Sequence, residues 1–221
     1  MTWVSRAIIS AALIFAGIIV FPSVARCQIA ENDEPKNEFG LWAGYSPVSL
    51  QVIGITTERQ LGLLSVRYAR TLWENHFASF QWTIDVLPLE LMLQPKFTKV
   101  VSTTSPPEFF FVPGHREYVY GGGINPIGPK LNFFRSHRLQ PFIASSAGFV
   151  ASVKRIPVDV PGGTLFNFTF DFQAGFQYYN SSHSHAWMLG SKLHHISNAF
   201  RTNVNPGVDS IVIFVGYSFF R

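Results

Sequence analysis

From Leu165 to Tyr179 the chain alternates without a break. Phe166, Phe168, Phe170, Phe172, Ala174, Phe176 and Tyr178 take one parity, and Asn167, Thr169, Asp171, Gln173, Gly175 and Gln177 take the other. Side chains of a strand point alternately to its two faces, so this period of two describes a strand with one apolar and one polar side. The apolar face of a soluble sandwich would mix in branched aliphatics. A near-continuous file of Phe is better suited to lipid, although periodicity alone leaves open which solvent that face meets.

Seven other segments alternate less cleanly but are bounded by turn residues: 38–48, 61–72, 77–87, 117–134, 140–153, 185–199 and 208–220. With the Phe file they make eight strands, the smallest even number that closes a membrane barrel. Aromatic residues are frequent at 15% and charged residues few at 14%. No apolar run beyond residue 25 is long enough to cross a bilayer as a helix, which excludes a helical membrane protein. The expected fold is therefore all-β, an eight-stranded antiparallel transmembrane β-barrel of the outer-membrane type occupying residues 37–221.

Ahead of it, one basic residue, the apolar run Ala7 to Phe21 and the small residues Ser23 and Ala25 read as a signal peptide over residues 1–25, followed by a short segment 26–36. Cys27, the only cysteine, is preceded by Arg26 where a lipoprotein signal needs a small residue, so an inert thiol is the simpler reading. Connection lengths test the topology, because such barrels have short periplasmic turns, long outer loops and periplasmic termini. The connections after the second, fourth and sixth strands are short, and that from Gln94 to Arg116 is the longest. Ala199 to Gly207 then falls outside the cell, while Leu50 to Gln60 is of middling length and decides nothing. The net charge of +4 says little about partners, and nothing suggests nucleic acid.

Chemistry concentrates in the last two strands. His195 and Ser197 share one face, about 7 Å apart between Cα atoms. Trp187, Leu189 and Leu193 have the same parity, so the pair lies on the face assigned to lipid. Asp209 on the neighbouring strand has the parity of Ile211, Ile213, Val215, Tyr217 and Phe219. Isolated polar groups facing lipid are costly, and mutual hydrogen bonding is the economical explanation. A nucleophile, a base and an orienting acid constitute the logic of acyl transfer: Ser197 attacks an ester carbonyl, His195 relays the proton, and Asp209 sets the tautomer. Asn198 could donate to the oxyanion by side chain or backbone. A polar pair at the headgroup rim is the bland alternative.

Other candidates are weaker. Adjacent strand residues point to opposite faces, so His194 and His195 cannot share a metal ion. The Ser181 to His185 cluster reads as a hydrophilic turn, and the sequon at Asn167 as accidental. Asp171 is expected in an interior polar network, with Arg67 and Lys154 as candidate partners.

The run His195-Ile196-Ser197-Asn198-Ala199, then Asn205-Pro206-Gly207-Val208-Asp209 and a last strand ending Gly216-Tyr217-Ser218-Phe219, resembles the C-terminal signature of the PagL-type lipid A deacylases. Tyr120-Gly121-Gly122-Gly123-Ile124-Asn125-Pro126 is similar to a Gly- and Pro-bearing strand of that family. The resemblance implies an eight-stranded outer-membrane barrel that hydrolyses the ester-linked acyl chain at the 3-position of lipid A, within lipopolysaccharide, needing no cofactor or metal. It implies His195 as base, Ser197 as nucleophile, Asn198 at the oxyanion and Asn205 as a second polar position nearby. Asp209 stands where the family pattern carries Glu, retracting the carboxylate by roughly 1.5 Å. A homodimer stays open, as does a non-enzymatic barrel for adhesion or membrane stability. A pore is disfavoured, since side chains fill an eight-stranded interior.

Overall fold

The computed structural model describes residues 36–101 and 109–221. The expected signal peptide, Cys27 and the segment up to residue 35 lie outside the described residues. The strands are β1 (Asn37–Ser46), β2 (Ser49–Leu50), β3 (Gln60–Glu74), β4 (Ala78–Gln94), β5 (Phe97–Val101), β6 (Phe109–Pro113), β7 (Glu117–Ile127), β8 (Pro129–Phe133), β9 (Leu139–Ile156), β10 (Thr164–Tyr179), β11 (His185–Ser197) and β12 (Val208–Phe220). Successive neighbours pair antiparallel in the order β1, β3, β4, β7, β9, β10, β11, β12. Pairing of β12 with β1, from Glu38 opposite Phe220 to Tyr45 opposite Ile213, closes the ring. β8 continues β7 between the same neighbours, so the barrel has eight staves.

At the break between β7 and β8 the chain passes close against β4. A Cβ on Gly128 would lie 2.0 Å from Thr83 Oγ1, and Thr83 N–H donates to the Gly128 carbonyl at 2.6 Å. β5 and β6 pair with each other as a hairpin within the long connection. In β4 the parity inverts: Gln81, Thr83, Asp85 and Leu87 are buried, then Glu90, Met92 and Gln94. Pro88 and Leu89 are both exposed where the register with β7 shifts, because proline has no N–H to give a ladder and sits at a bulge.

The Phe file of β10 faces outward, with Phe168, Phe170, Phe172 and Phe176 exposed, while Asn167, Thr169, Asp171, Gln173 and Gln177 are buried inside the barrel. This is the reverse of a water-soluble protein, and it follows from closing the sheet in lipid, where every backbone polar group must pair within the ladder. The interior is filled. Trp42, Phe142 and Phe214 form a ring cluster with centroids 5.5 and 6.5 Å apart.

Buried charges inside the barrel are answered by partners. Arg67 donates to both oxygens of Asp85 at 2.7 and 2.8 Å. Lys130 Nζ meets Glu38 at 2.9 Å, and Lys192 Nζ meets Asp171 at 2.9 Å. Asp171 also receives Ser146 Oγ and Asn125 Nδ2 and contacts His194 Nδ1, which places it in the expected interior network. Arg67 belongs to the same interior through Gln173. Lys154 does not: it is exposed and pairs with Glu117, in the stretch of β9 where the register with β10 shifts.

The start of the first strand and the end of the last meet, Asn37 and Arg221 exchanging backbone hydrogen bonds at 2.8 Å. They share one end with the short turns at 75–77, 134–138 and 180–184. The long connections, and His195, Ser197 and Asp209, occupy the other end. Breaking a buried ion pair on one side leaves an unpaired interior charge. Lys130→Met is therefore expected to destabilise the barrel by about 3–5 kcal/mol, and Glu38→Gln added to it to recover most of the loss. Urea titrations followed by the gel-mobility shift of folded barrel check this. Equal instability of single and double variants contradicts the pairing.

Candidate active site

His195 and Asp209 are directly opposite on β11 and β12. Both point outward, and His195 Nδ1 lies 2.5 Å from Asp209 Oδ1. A polar pair on a wall built for lipid is nevertheless buried, His195 at 9% and Asp209 at 0% exposure. The cover is the connection after β2, to which the sequence assigned no role.

That connection folds over the pair by continuing the ladder. β2 pairs with the start of β12, Leu50 opposite Asp209 and Ser49 opposite Ser210. Further on, Ile55 N–H donates to the Pro206 carbonyl at 2.8 Å and Thr56 Oγ1 to the Gly207 carbonyl at 2.6 Å. Between these anchors three consecutive amides, of Val52, Ile53 and Gly54, donate to Asp209 Oδ2 at 2.8, 2.6 and 2.7 Å. Such a run of N–H groups is an anion-binding concavity. One carboxylate oxygen is thus held by the cradle and the other by the imidazole, and the charged form is stabilised without water. The shorter acid reaches its histidine because the backbone behind it is fixed.

Two glycines permit this approach. A Cβ on Gly54 would lie 2.6 Å from Gly207 C and O. Gly207, with φ of 54°, would bring its own to 2.8 Å from Gly54 Cα and 3.1 Å from His195 Cε1. The connection is also tied to the loop between β9 and β10 by an ion pair of Arg59 with Asp159.

Ser197 shares the outward face of His195, half-buried, with Phe168 as its cross-strand partner on β10. Its hydroxyl makes no hydrogen bond to a described residue, so the structure does not join it to His195. The turn behind it is strained, Ala199 and Phe200 having φ of 51° and 60°, a conformation that costs about 1–3 kcal/mol per residue.

Asn198 maintains that turn. Its Nδ2 contacts the Gly162 carbonyl, Thr202 Oγ1 and the Val204 carbonyl at 2.7–2.8 Å, and its Oδ1 accepts from Phe200 N–H at 2.8 Å. Its backbone N–H donates to Asn205 Oδ1 at 3.1 Å. Both donors expected for an oxyanion are therefore committed. Asn205, half-buried, accepts through Oδ1 and has no described partner for its Nδ2. Of the two asparagines it is the one with an uncommitted amide beside Ser197.

His194 points inward to Asp171, opposite to His195. Ser181 to His185 form the turn at the far end, where Asn180, Ser182 and Ser184 bond one another. Among the described residues no three His, Cys, Asp or Glu side chains are grouped to hold a metal ion.

A family model described as lipid A 3-O-deacylase (PagL) matches residues 64–218. The stretch contains His195, Ser197 and Asp209, whereas the amide cradle lies upstream of it. Among solved structures, the crystal structure of the outer membrane enzyme PagL is similar at a TM-score of 0.55 and 15% identity, covering 81% of this chain and 97% of that one. The crystal structure of Neisserial surface protein A is similar at a TM-score of 0.45 and 10% identity, covering 84% and 97%. No curated protein sequence matches.

Gly54→Ala is expected to leave the barrel folded but displace the amides, since the clash is with backbone of Gly207 and Val208. In micelles, the far-downfield Nδ1–H resonance of His195 should move toward its position in Asp209→Asn. An unchanged imidazole spectrum would falsify the view that the cradle sets this contact.

Proposed function

The chain belongs to the PagL family of lipid A 3-O-deacylases, and on that premise we propose that it is an outer-membrane serine esterase hydrolysing the 3-O-linked acyl chain of lipid A. The observation that carries this reading is the buried His195–Asp209 pair on the outward wall, with Ser197 two residues along β11 on the same face. A histidine and a carboxylate supply nothing to barrel stability on that face that an aliphatic pair would not supply at lower desolvation cost.

The mechanism assigns each group one role. Asp209 accepts a hydrogen bond from His195 Nδ1–H and fixes the tautomer, leaving Nε2 unprotonated as general base. Ser197 Oγ attacks the ester carbonyl while Nε2 takes its proton, and the hydrogen bond absent from the resting geometry forms as substrate enters. Asn205 Nδ2 donates to the oxyanion, with Asn198 holding the turn that presents it. Collapse returns the proton to the sugar alkoxide, and water then releases the acid by the same route. Acyl chains lie along Phe168, Phe170 and Phe172, already exposed to lipid beside the nucleophile.

Orientation follows from the two ends of the barrel. The short turns and the Asn37–Arg221 contact mark the periplasmic end, so the site lies at the outer leaflet, where lipopolysaccharide resides. Mass spectrometry of lipid A from Gram-negative cells making matched amounts of each variant tests the reading. Wild type should remove one ester-linked acyl group and Ser197→Ala none. Asp209→Asn should slow the reaction by about 10³–10⁴-fold and Asn205→Ala by about 10²–10³-fold. Lipid A identical in wild-type, Ser197→Ala and empty-vector cells would remove the esterase and favour a non-enzymatic barrel.

A further inference from the structure

Above Phe166, at the rim of the outward wall, the loop after β9 and the connection between β11 and β12 enclose a cleft of about 590 Å³. Its lining contains two arginines, Arg155 and Arg201, and no Asp or Glu. Asp159, four residues beyond Arg155, pairs with Arg59, and Glu117 on the neighbouring strand β7 pairs with Lys154. The Arg155 side chain has no hydrogen bond or ion pair to a described residue. A polar floor of Gly162, Thr202 and Asn203 meets an apolar wall of Leu165, Phe166 and Val204.

Arg201 is positioned rather than trailing in solvent. Its Nε donates to the Asn198 carbonyl at 3.3 Å and its Nη2 to the Phe166 carbonyl. Its guanidinium lies 5.1 and 5.5 Å from the ring centroids of Phe166 and Phe168. Stacking on aromatic faces and fixing by carbonyls preorganise a guanidinium while leaving donors free, the arrangement suited to phosphate. Phe168 is also the cross-strand partner of Ser197, so this cation stands next to the proposed nucleophile, at the height where headgroups begin.

We propose that the cleft binds a phosphate of the lipid substrate, Arg155 and Arg201 flanking it while the acyl chains descend the Phe file. This rests on the deacylase reading and adds to it: the ligand class is a phosphorylated, acylated amino sugar, and the phosphate fixes which ester faces Ser197. In lipid A a phosphate and the 3-linked ester sit on one sugar ring, two carbons apart, so one molecule spans cleft and nucleophile together. An acylated surface without phosphate would bind the wall but lose its register.

The test uses full-length protein in micelles with Ser197→Ala to prevent turnover. Lipid A with its phosphates and lipid A stripped of them are titrated in parallel, with inorganic phosphate as competitor. Arg155→Gln, which disturbs no described contact, should weaken binding of the phosphorylated lipid by about tenfold. The loss should vanish with stripped lipid, and Arg201→Gln should behave alike. Equal loss on both lipids, no loss on either, or inorganic phosphate binding as tightly as the lipid overturns the cleft. Wild-type deacylation measured alongside separates the cases: retained deacylation with no phosphate-dependent loss removes this inference alone, whereas absent deacylation removes the reading beneath it.

Discussion

A carboxylate on the outward wall of a barrel, buried beneath a loop, can persist only if its charge is answered locally. Asp209 meets that requirement with four partners, three backbone amides on one oxygen and an imidazole on the other. Each hydrogen bond to a charged group contributes about 1.5–3 kcal/mol, against a burial cost of several kcal/mol for an ion. Most of the site depends on this balance. His195 is oriented because Asp209 is fixed, Asp209 is fixed because the 52–54 amides converge on it, and the amides converge because Gly54 and Gly207 touch without side chains.

The barrel contributes stiffness. Its ring is closed by β1 and β12, and β12 carries Asp209, so one strand serves both closure and site. Inside, the pairs Arg67–Asp85, Lys130–Glu38 and Lys192–Asp171 leave charges matched, and rings and methionines fill the remaining space. A site on neighbouring rungs of such a ladder inherits positions that a loop would not hold. The exposed turn after Ser197 still needs help, and Asn198 supplies it with hydrogen bonds to residues 162, 200, 202 and 204.

What was legible in the sequence was whatever obeys period two. The Phe file, all eight staves, the end-to-end asymmetry of connections, and the shared face of His195, Ser197 and Asp209 follow from counting parity. Features that break parity were hidden. Alternation in β4 stops making sense at Pro88 because a bulge inverts it, so the strand was ended at Leu87, seven residues early. Residues 51–56 carry their role in backbone amides, which any sequence possesses, and the apposition of Gly54 and Gly207 exists only in the folded chain. Asn198 and Asn205 are indistinguishable by type. Which amide is spent on the turn depends on where the loop carbonyls fall, and that is tertiary information. Lys154, a candidate interior partner in the sequence, is exposed because it lies where the register of β9 with β10 shifts.

An esterase of this geometry would differ from soluble ones in having no acyl pocket to build. The bilayer itself supplies the apolar surroundings, and the exposed rings of β10 merely give chains a wall to lie against. Such a wall discriminates poorly, since one methylene more or less in an apolar site is worth only about 1–3 kcal/mol. Selectivity among the many esters of a membrane must therefore come from the polar end of the substrate, at the rim. In this chain the rim beside Ser197 holds the cleft with Arg155 and Arg201, together with the committed and uncommitted amides of Asn198 and Asn205. The proposed catalytic groups and the groups proposed to choose the substrate thus lie in one narrow band at the rim of the outward wall.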